Sequence, residues 1–355
     1  MITNRKIEHL TVCSEKEVES GKTGFDDISF IHNALPEISK VEIDIRTTFL
    51  GKFLKAPIFI AGMTGGHPDT AKVNAALAQS AESLGLGMGV GSQRAAIEHP
   101  EQEASFKIVR DVAPTAFIVS NIGIPQVKTY DLKILDKIVD MIQADALAIH
   151  LNFLQEAIQP EGETDATGCL EAIERVCNSL TVPVIVKETG AGISKEIAEL
   201  LKNAGVSAVD VGGRGGTTWA GVESFRTNDN LLSMRLGDTY WHWGLPTPVS
   251  ILESSILPTI ATGGIRNGLH VAKSLALGSS LCGMALPLLK PALQGHEKVT
   301  EELKTTIEEL KIAMFLTGCK HVDDLVRIPI TIIGETREIL EQREFNVYDI
   351  VKRRH

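Results

Sequence analysis

Eight short apolar runs punctuate the sequence, at residues 57–61, 86–90, 116–120, 145–149, 182–187, 206–211, 257–262 and 280–284. Each is rich in aliphatic and β-branched side chains and short enough to be a strand buried on both faces. Between them lie stretches of helical period, at 69–84, 132–142, 169–180, 194–203 and 268–277. Strand and helix in alternation call for parallel strands joined by crossover helices. The starts of the runs are separated by 29, 30, 29, 37, 24, 51 and 23 residues, so the expected architecture is α/β, a (β/α)8 TIM barrel. An open doubly wound sheet is the alternative, disfavoured because no GxGxxG follows the first run and the last two runs end in a phosphate-site pattern.

Two parts fall outside the repeat: an N-terminal extension, residues 1–50, and the long insertion after strand six. The extension mixes charge with short apolar pieces and is expected to cover the bottom of the barrel or to reach a neighbouring subunit. The insertion carries Trp219, Trp241 and Trp243, all the tryptophans of the chain, with Phe225 and Tyr240. Such an aromatic loop suits a lid over the top face or packing against it. A single domain is expected, with a barrel core at 57–318 and a C-terminal helical segment at 319–355.

Composition narrows the function. A net charge of −10 argues against a nucleic-acid surface, which needs clustered Lys and Arg. The 5 cysteines form no CxxC pair, and no run is long enough to span a bilayer. A reduced, cytoplasmic protein acting on a small molecule is the expectation, with no nucleic-acid or membrane partner.

Chemistry gathers where barrel strands end. Strand one runs into Gly62, Met63 and Thr64; strand two into Gly91, Ser92, Gln93 and Arg94; strand three into Asn121. Strand six ends in GGRGGT at 212–217, strand seven in TGGIRNG at 262–268, and strand eight in GMAL at 283–286. Glycines let a flat ligand approach the backbone, and the pair of loops after strands seven and eight fits a phosphate held by N–H groups at a helix N-terminus. Lys187, closing an apolar strand, suits a Schiff base, a phosphate ligand or a charge beside a flavin ring. Strand four ends in HLNFLQEAIQPEGE at 150–163, where His150, Asn152, Gln155 and Glu156 crowd one turn. A connector alone would use Gly, Asp, Ser and Pro; four such groups together suggest a site.

MTGG (63–66), GSQR (91–94), SNIG (120–123), HLNxxQExxQPEGE (150–163), VKETG (186–190) and GGRGGT (212–217) resemble the type 2 isopentenyl-diphosphate isomerases, and the likeness runs from RKIEH at 5–9 to beyond strand eight. The resemblance implies FMN held by Gly62, Met63, Thr64, Ser92, Asn121, Lys187, Thr217, Gly264, Ile265, Arg266, Ala285 and Leu286. It implies a diphosphate substrate bound by Arg5, Lys6, Ser92, Gln93, Arg94 and Gln155, with Gln155, His150 and Asn152 at the reacting carbons and Glu156 on Mg²⁺. It further implies reduction of the flavin by NADPH and a homo-oligomer, tetramer or octamer, in which N-terminal basic residues serve the adjacent subunit. The reaction moves a double bond with no net redox change, so the flavin would act as an acid/base or electrostatic cofactor.

A redox FMN barrel oxidising a hydroxy acid is the second class, and a flavin-storage module the third. The former wants a His, Cys or Ser base at strands six and seven, where glycines and threonines stand. The latter leaves Gln155, Glu156, Arg94 and Lys187 without a purpose.

Overall fold

The structure is a computed structural model and describes residues 2–227 and 230–352. Eight parallel strands close into a barrel. Numbered β1 to β8 along the chain, they are Ile58–Ile60, Gly87–Gly89, Phe117–Gly123, Ala146–Leu151, Val184–Glu188, Ala208–Asp210, Thr259–Ala261 and Leu281–Met284. Every one falls on an apolar run of the sequence, and β8 pairs back onto β1 through Cys282 and Ile58. Strands this short hold together because each is paired on both sides and covered by helices.

Two hydrophobic compartments result from the period of two along each strand. Phe59, Phe117, Val119, Ala146, Ala148, Ile185, Ala208, Ile260 and Leu281 fill the barrel interior. The alternate residues, such as Ile58, Ile118, Leu147 and Val186, face the helices in the larger core. Continuing the inward set toward the strands' C-terminal ends gives Asn121, His150, Lys187, Asp210 and Thr262. The interior is therefore an apolar plug with a polar upper layer. Register fixes that layer: Gly123 lies opposite His150, His150 opposite Lys187, and Lys187 opposite Asp210.

A hairpin, Thr47–Phe49 with Lys52–Leu54, closes the bottom. Its turn places Leu50 and Gly51 at φ 46° and 80°, the double positive φ that matches the twist of a two-residue hairpin. Phe49 and Leu54 are buried in the interior cluster, and the Phe49 ring meets Phe117 edge-on at 6.0 Å. Truncating Phe117 to Ala would cost about 3–5 kcal/mol, because the plug has no room to collapse.

The N-terminal extension thus divides. Only its end lies at the bottom, as the sequence suggests; the first helix, Ile2–Glu15, lies over the top face against the helices Trp219–Arg226 and Leu286–Gln294. An extended strap follows it. Thr218 N–H donates to Val18 O at 2.8 Å, Ser20 N–H to Gly216 O at 2.9 Å, and Gly215 N–H to Ser20 Oγ at 2.8 Å. Phe25 then anchors the strap, fully buried, stacked on His270 at 4.8 Å and with its carbonyl accepting from Lys273 Nζ at 2.8 Å. The C-terminal segment departs from the all-helical expectation: Ile330–Ile332 pairs antiparallel with Ile28–Phe30.

Candidate active site

A cavity of about 240 Å³ opens at the C-terminal ends of the strands. Of the residues singled out from sequence, Arg5, Lys6, Gly62, Met63, Thr64, Ser92, Arg94, Asn121, His150, Asn152, Gln155, Glu156, Lys187, Thr217, Gly264, Ile265, Arg266, Ala285 and Leu286 all line it. Gln93 does not. Its side chain is buried beneath the loop, accepting from Asn121 N–H at 3.0 Å and donating to Ile138 O at 2.8 Å. It braces the β2 and β3 ends, and its amide has no part in lining the cavity. The pattern GSQR gives position along the chain; which way a side chain turns is settled by its neighbours.

At one end the cavity is cationic. Arg5, Lys6 and Arg94 converge there, and within this chain Arg5 and Lys6 reach the cavity from the first helix. Burial, then the nearby Arg5 and Arg94, depress Lys6 to about 8. Arg94 is held by Glu98 at 2.7 Å and Glu163 at 3.0 Å. Three cations gathered this closely repel one another, and a multiply charged anion relieves that repulsion.

The opposite end is built from glycine loops. Gly263 and Gly264 have φ of 106° and 77°, which a residue with a Cβ rarely adopts. A Cβ on Gly216 would lie 2.7 Å from Gly264 N, so the loops after β6 and β7 touch through their backbones. Two helices start here, and they differ. Gly268–Ala276 is already capped, by Asn267 accepting from His270 N–H and by Glu309 accepting from Gly268 N–H at 2.7 Å. Leu286–Gln294 has no side-chain cap among the described residues, and Ala285 and Leu286 face the cavity. Pro287 has no N–H and Leu288 N–H bonds to Ala285 O at 2.9 Å, so the N–H groups of Ala285 and Leu286 are the ones available to a phosphate. Arg266 adds a positive charge, which burial lowers to about 10, and its guanidinium meets the Glu19 carboxylate of the strap. The Thr64 hydroxyl is buried on the cavity wall with no partner among the described residues. A glycine cradle, an open helix N-terminus, a cation and an orphaned hydroxyl together fit a flavin mononucleotide.

The middle of the cavity holds the polar end of β4 and the short helix Phe153–Ile158 that follows it. His150 Nδ1–H donates to Asn121 Oδ1 at 2.9 Å, and Asn121 Nδ2 to Val90 O at 2.9 Å. Burial, with Lys6 and Lys187 nearby, drives His150 down to about 3 against a hydrogen bond to the Ile122 backbone, so it is neutral. Asn152 Nδ2 donates to Gln155 Oε1 at 3.1 Å and to Glu156 Oε1 at 2.9 Å. Glu156 Oε2 accepts from Gln159 Nε2 at 2.6 Å and Glu163 N–H at 2.8 Å. Among the described residues no group of three or more His, Cys, Asp or Glu side chains forms a metal cage. One carboxylate beside an anion-binding end suits a hard dication that arrives with phosphate oxygens and keeps its waters.

Sequence reading missed one group of the site. Glu223, fully buried on the helix Trp219–Arg226, accepts from Gln155 Nε2 at 2.8 Å, pairs with His9 Nε2 at 2.9 Å, and accepts from Arg226 Nε at 2.6 Å. Burial alone would raise this carboxyl; the hydrogen bonds from His9, Gln155 and Arg226 outweigh it and hold it near 2. Of the three tryptophans only Trp219 lines the cavity, edge-on to His9 at 5.1 Å. Trp241 packs on Phe225 and binds Glu19 O through Nε1, while Trp243 is exposed. The insertion is therefore partly a wall of the site and partly its support.

The comparisons bear on this geometry. A family model described as FMN-dependent dehydrogenase matches residues 5–109 and 140–331. The isopentenyl-diphosphate delta-isomerase of Methanosarcina mazei is 56% identical over 353 residues, 98% of this chain and 97% of that protein. The protein of the same name from Archaeoglobus fulgidus is 54% identical over 342 residues, 96% of this chain and 99% of that one. Among solved structures, a lactate oxidase of Pediococcus acidilactici superposes with a TM-score of 0.66 at 17% identity, covering 92% of this chain and 87% of that chain. A mandelate oxidase with benzoyl-formic acid gives 0.59 at 19% identity, covering 89% of each; at such identities the likeness speaks to the barrel alone. On the strength of the near full-length relatives and of the matched family model, the chain belongs to the isopentenyl-diphosphate delta-isomerases, built on the barrel of the FMN-dependent dehydrogenase family.

Proposed function

We propose that this protein converts isopentenyl diphosphate to dimethylallyl diphosphate in the cavity above β1 to β8, with reduced FMN seated on the glycine loops, NADPH as its reductant and Mg²⁺ accompanying the diphosphate. The observation that carries the reading is the polarity of one cavity: a cationic end facing a glycine cradle, with an amide–carboxylate chain between them.

Reduced FMN, when bound, would supply a negatively charged ring and an exchangeable proton. Arg5, Lys6 and Arg94 bind the diphosphate and fix the direction in which the hydrocarbon tail enters. Glu156 would hold the Mg²⁺ ion, which would supply positive charge to offset the diphosphate. Gln155 cannot titrate, and with one amide hydrogen committed to Glu223 and its oxygen to Asn152 it is a fixed positioning group; protons move along the edge formed by His9 Nε2 and the Glu223 carboxylate. Trp219, Met63 and Leu286 keep water from the developing positive charge.

Turnover of isopentenyl diphosphate with FMN, NADPH and Mg²⁺, each omitted in turn, tests the proposal. Loss of activity on omission of FMN or of the diphosphate-bound cation is expected. Oxidation of a 2-hydroxy acid by the same preparation, with no isomerisation, would replace this reading by the redox one.

A further inference from the structure

Lys187 does not stand alone in the upper layer of the barrel. Asp210 lies directly opposite it in the register of β5 and β6, with Lys187 Nζ 3.2 Å from Asp210 Oδ2. From the next strand, Thr262 Oγ1 donates to Asp210 Oδ1. The carboxylate is buried, at 2% exposure, and is absent from the wall of the main cavity. Beneath it is a void of about 10 Å³ that also touches Ser120 and Asn121, room for one water at most. A ligand in the cavity therefore meets Lys187 and never touches Asp210. Asn121, Thr262 and the neutral His150 add no charge to that layer, so the lysine and its partner decide the field at the floor of the cavity.

We infer that Asp210 sets the charge Lys187 presents to a bound flavin, and through it the balance between reduced and oxidised cofactor. This rests on the reading that FMN occupies the cavity with Lys187 beside its ring. A buried ammonium with no counterion would favour the more negative, reduced ring strongly; a carboxylate bonded behind it tempers that preference and locks the ammonium in place. Asp210 is a positioning residue, acting through Lys187.

The test is the ratio of dissociation constants for reduced and oxidised FMN, equivalently the midpoint potential of the bound flavin, measured on the whole protein. Asp210→Asn keeps the shape and Thr262's partner; it is expected to shift the ratio about tenfold toward reduced FMN, since one pKa-scale unit of charge interaction is a factor of ten. Lys187→Met is expected to shift it the other way. The double variant, which removes both charges together, should fall between Lys187→Met and the parent protein. If Asp210→Asn leaves the ratio unmoved or moves it as Lys187→Met does, or if the double variant equals Lys187→Met, the inference is overturned, and either comparison suffices should one single variant fold poorly. A Lys187→Met protein that holds FMN at an unchanged ratio would instead refute the placement of Lys187 at the ring.

Discussion

Gln155 and Glu223 meet at 2.8 Å, amide nitrogen to carboxylate oxygen, although 68 residues separate them. One belongs to the short helix Phe153–Ile158 after β4, the other to the helix after β6, and His9 of the first helix closes the group from above. Glu223→Gln should leave FMN binding intact, because no flavin-cradle residue touches it. Turnover should fall by roughly 10²–10³-fold as the oriented proton path is lost, with a stability cost of about 1–3 kcal/mol for the donors left without a charged acceptor. Steady-state kinetics, flavin absorbance and thermal melting separate these effects; parental kcat would show that Glu223 only packs.

Lys6 gives a pH signature. In the free protein burial and its cationic neighbours lower it to about 8, so it is charged below that pH and loses its proton as pH rises through it. Because kcat/KM reports the free enzyme, its basic limb should lie near 8 for isopentenyl diphosphate. Lys6→Arg should move that limb out of the accessible range, since a guanidinium keeps its proton. An unchanged limb in the variant would assign it to another group.

Glu156→Gln keeps shape and removes charge. It is expected to bind FMN as the parent does, to lose its response to Mg²⁺, and to turn over about 10–100-fold more slowly, the worth of one charge-assisted contact at about 1.5–3 kcal/mol. A Mg²⁺ titration of initial rate checks this, and a parental titration curve would make Glu156 only the acceptor that holds Gln159 and Glu163 in the loop.

The barrel was legible because parallel strands buried on both faces are written as unbroken apolar runs, and all eight strands lie where such runs stand. The strand ends were legible because their polar residues serve no connector. Glu223 was not: in WAGVESFR it is an ordinary helical carboxylate, and His9 and Gln155 are 214 and 68 residues distant. Asp210 offered a signal that went unused, a charge on the inward parity of an apolar strand, which demands a partner. The strap's path over the glycine loops could not be read, because its stitches to Gly215, Gly216 and Thr218 run largely through backbone groups.

Gly264→Ala should lose flavin retention. A Cβ there would lie 2.3 Å from Thr23 Cγ2 and 2.8 Å from Gly215 O, on a backbone at φ 77°. The strap is pushed off the loop and the left-handed conformation itself costs about 1–2 kcal/mol. Adding Thr23→Gly removes the first contact and should restore part of the FMN affinity, measured by flavin fluorescence titration. No recovery in the double variant would leave backbone strain as the whole cause.

Arg5 and Lys6 bear on whether a site is complete within one chain. The first helix packs on Trp219–Arg226 and Leu286–Gln294 of its own barrel, and Arg5 approaches Gln159 Oε1 at 3.5 Å and Glu161 at 3.7 Å. The strap that follows is hydrogen-bonded to the glycine loop of the same barrel, so the helix has a short tether to this site. An Arg5→Ala, Lys6→Ala variant should bind diphosphate substrate far more weakly, each charge-assisted contact being worth about 1.5–3 kcal/mol, while retaining FMN. Mixed with a Gln155→Ala variant under conditions that exchange subunits, it should recover nothing, because every chain then lacks either its own arm or its own Gln155. Activity rising above both parents would mean that intact arms reach intact pockets across an interface, and that the helix serves a neighbour in the assembled protein.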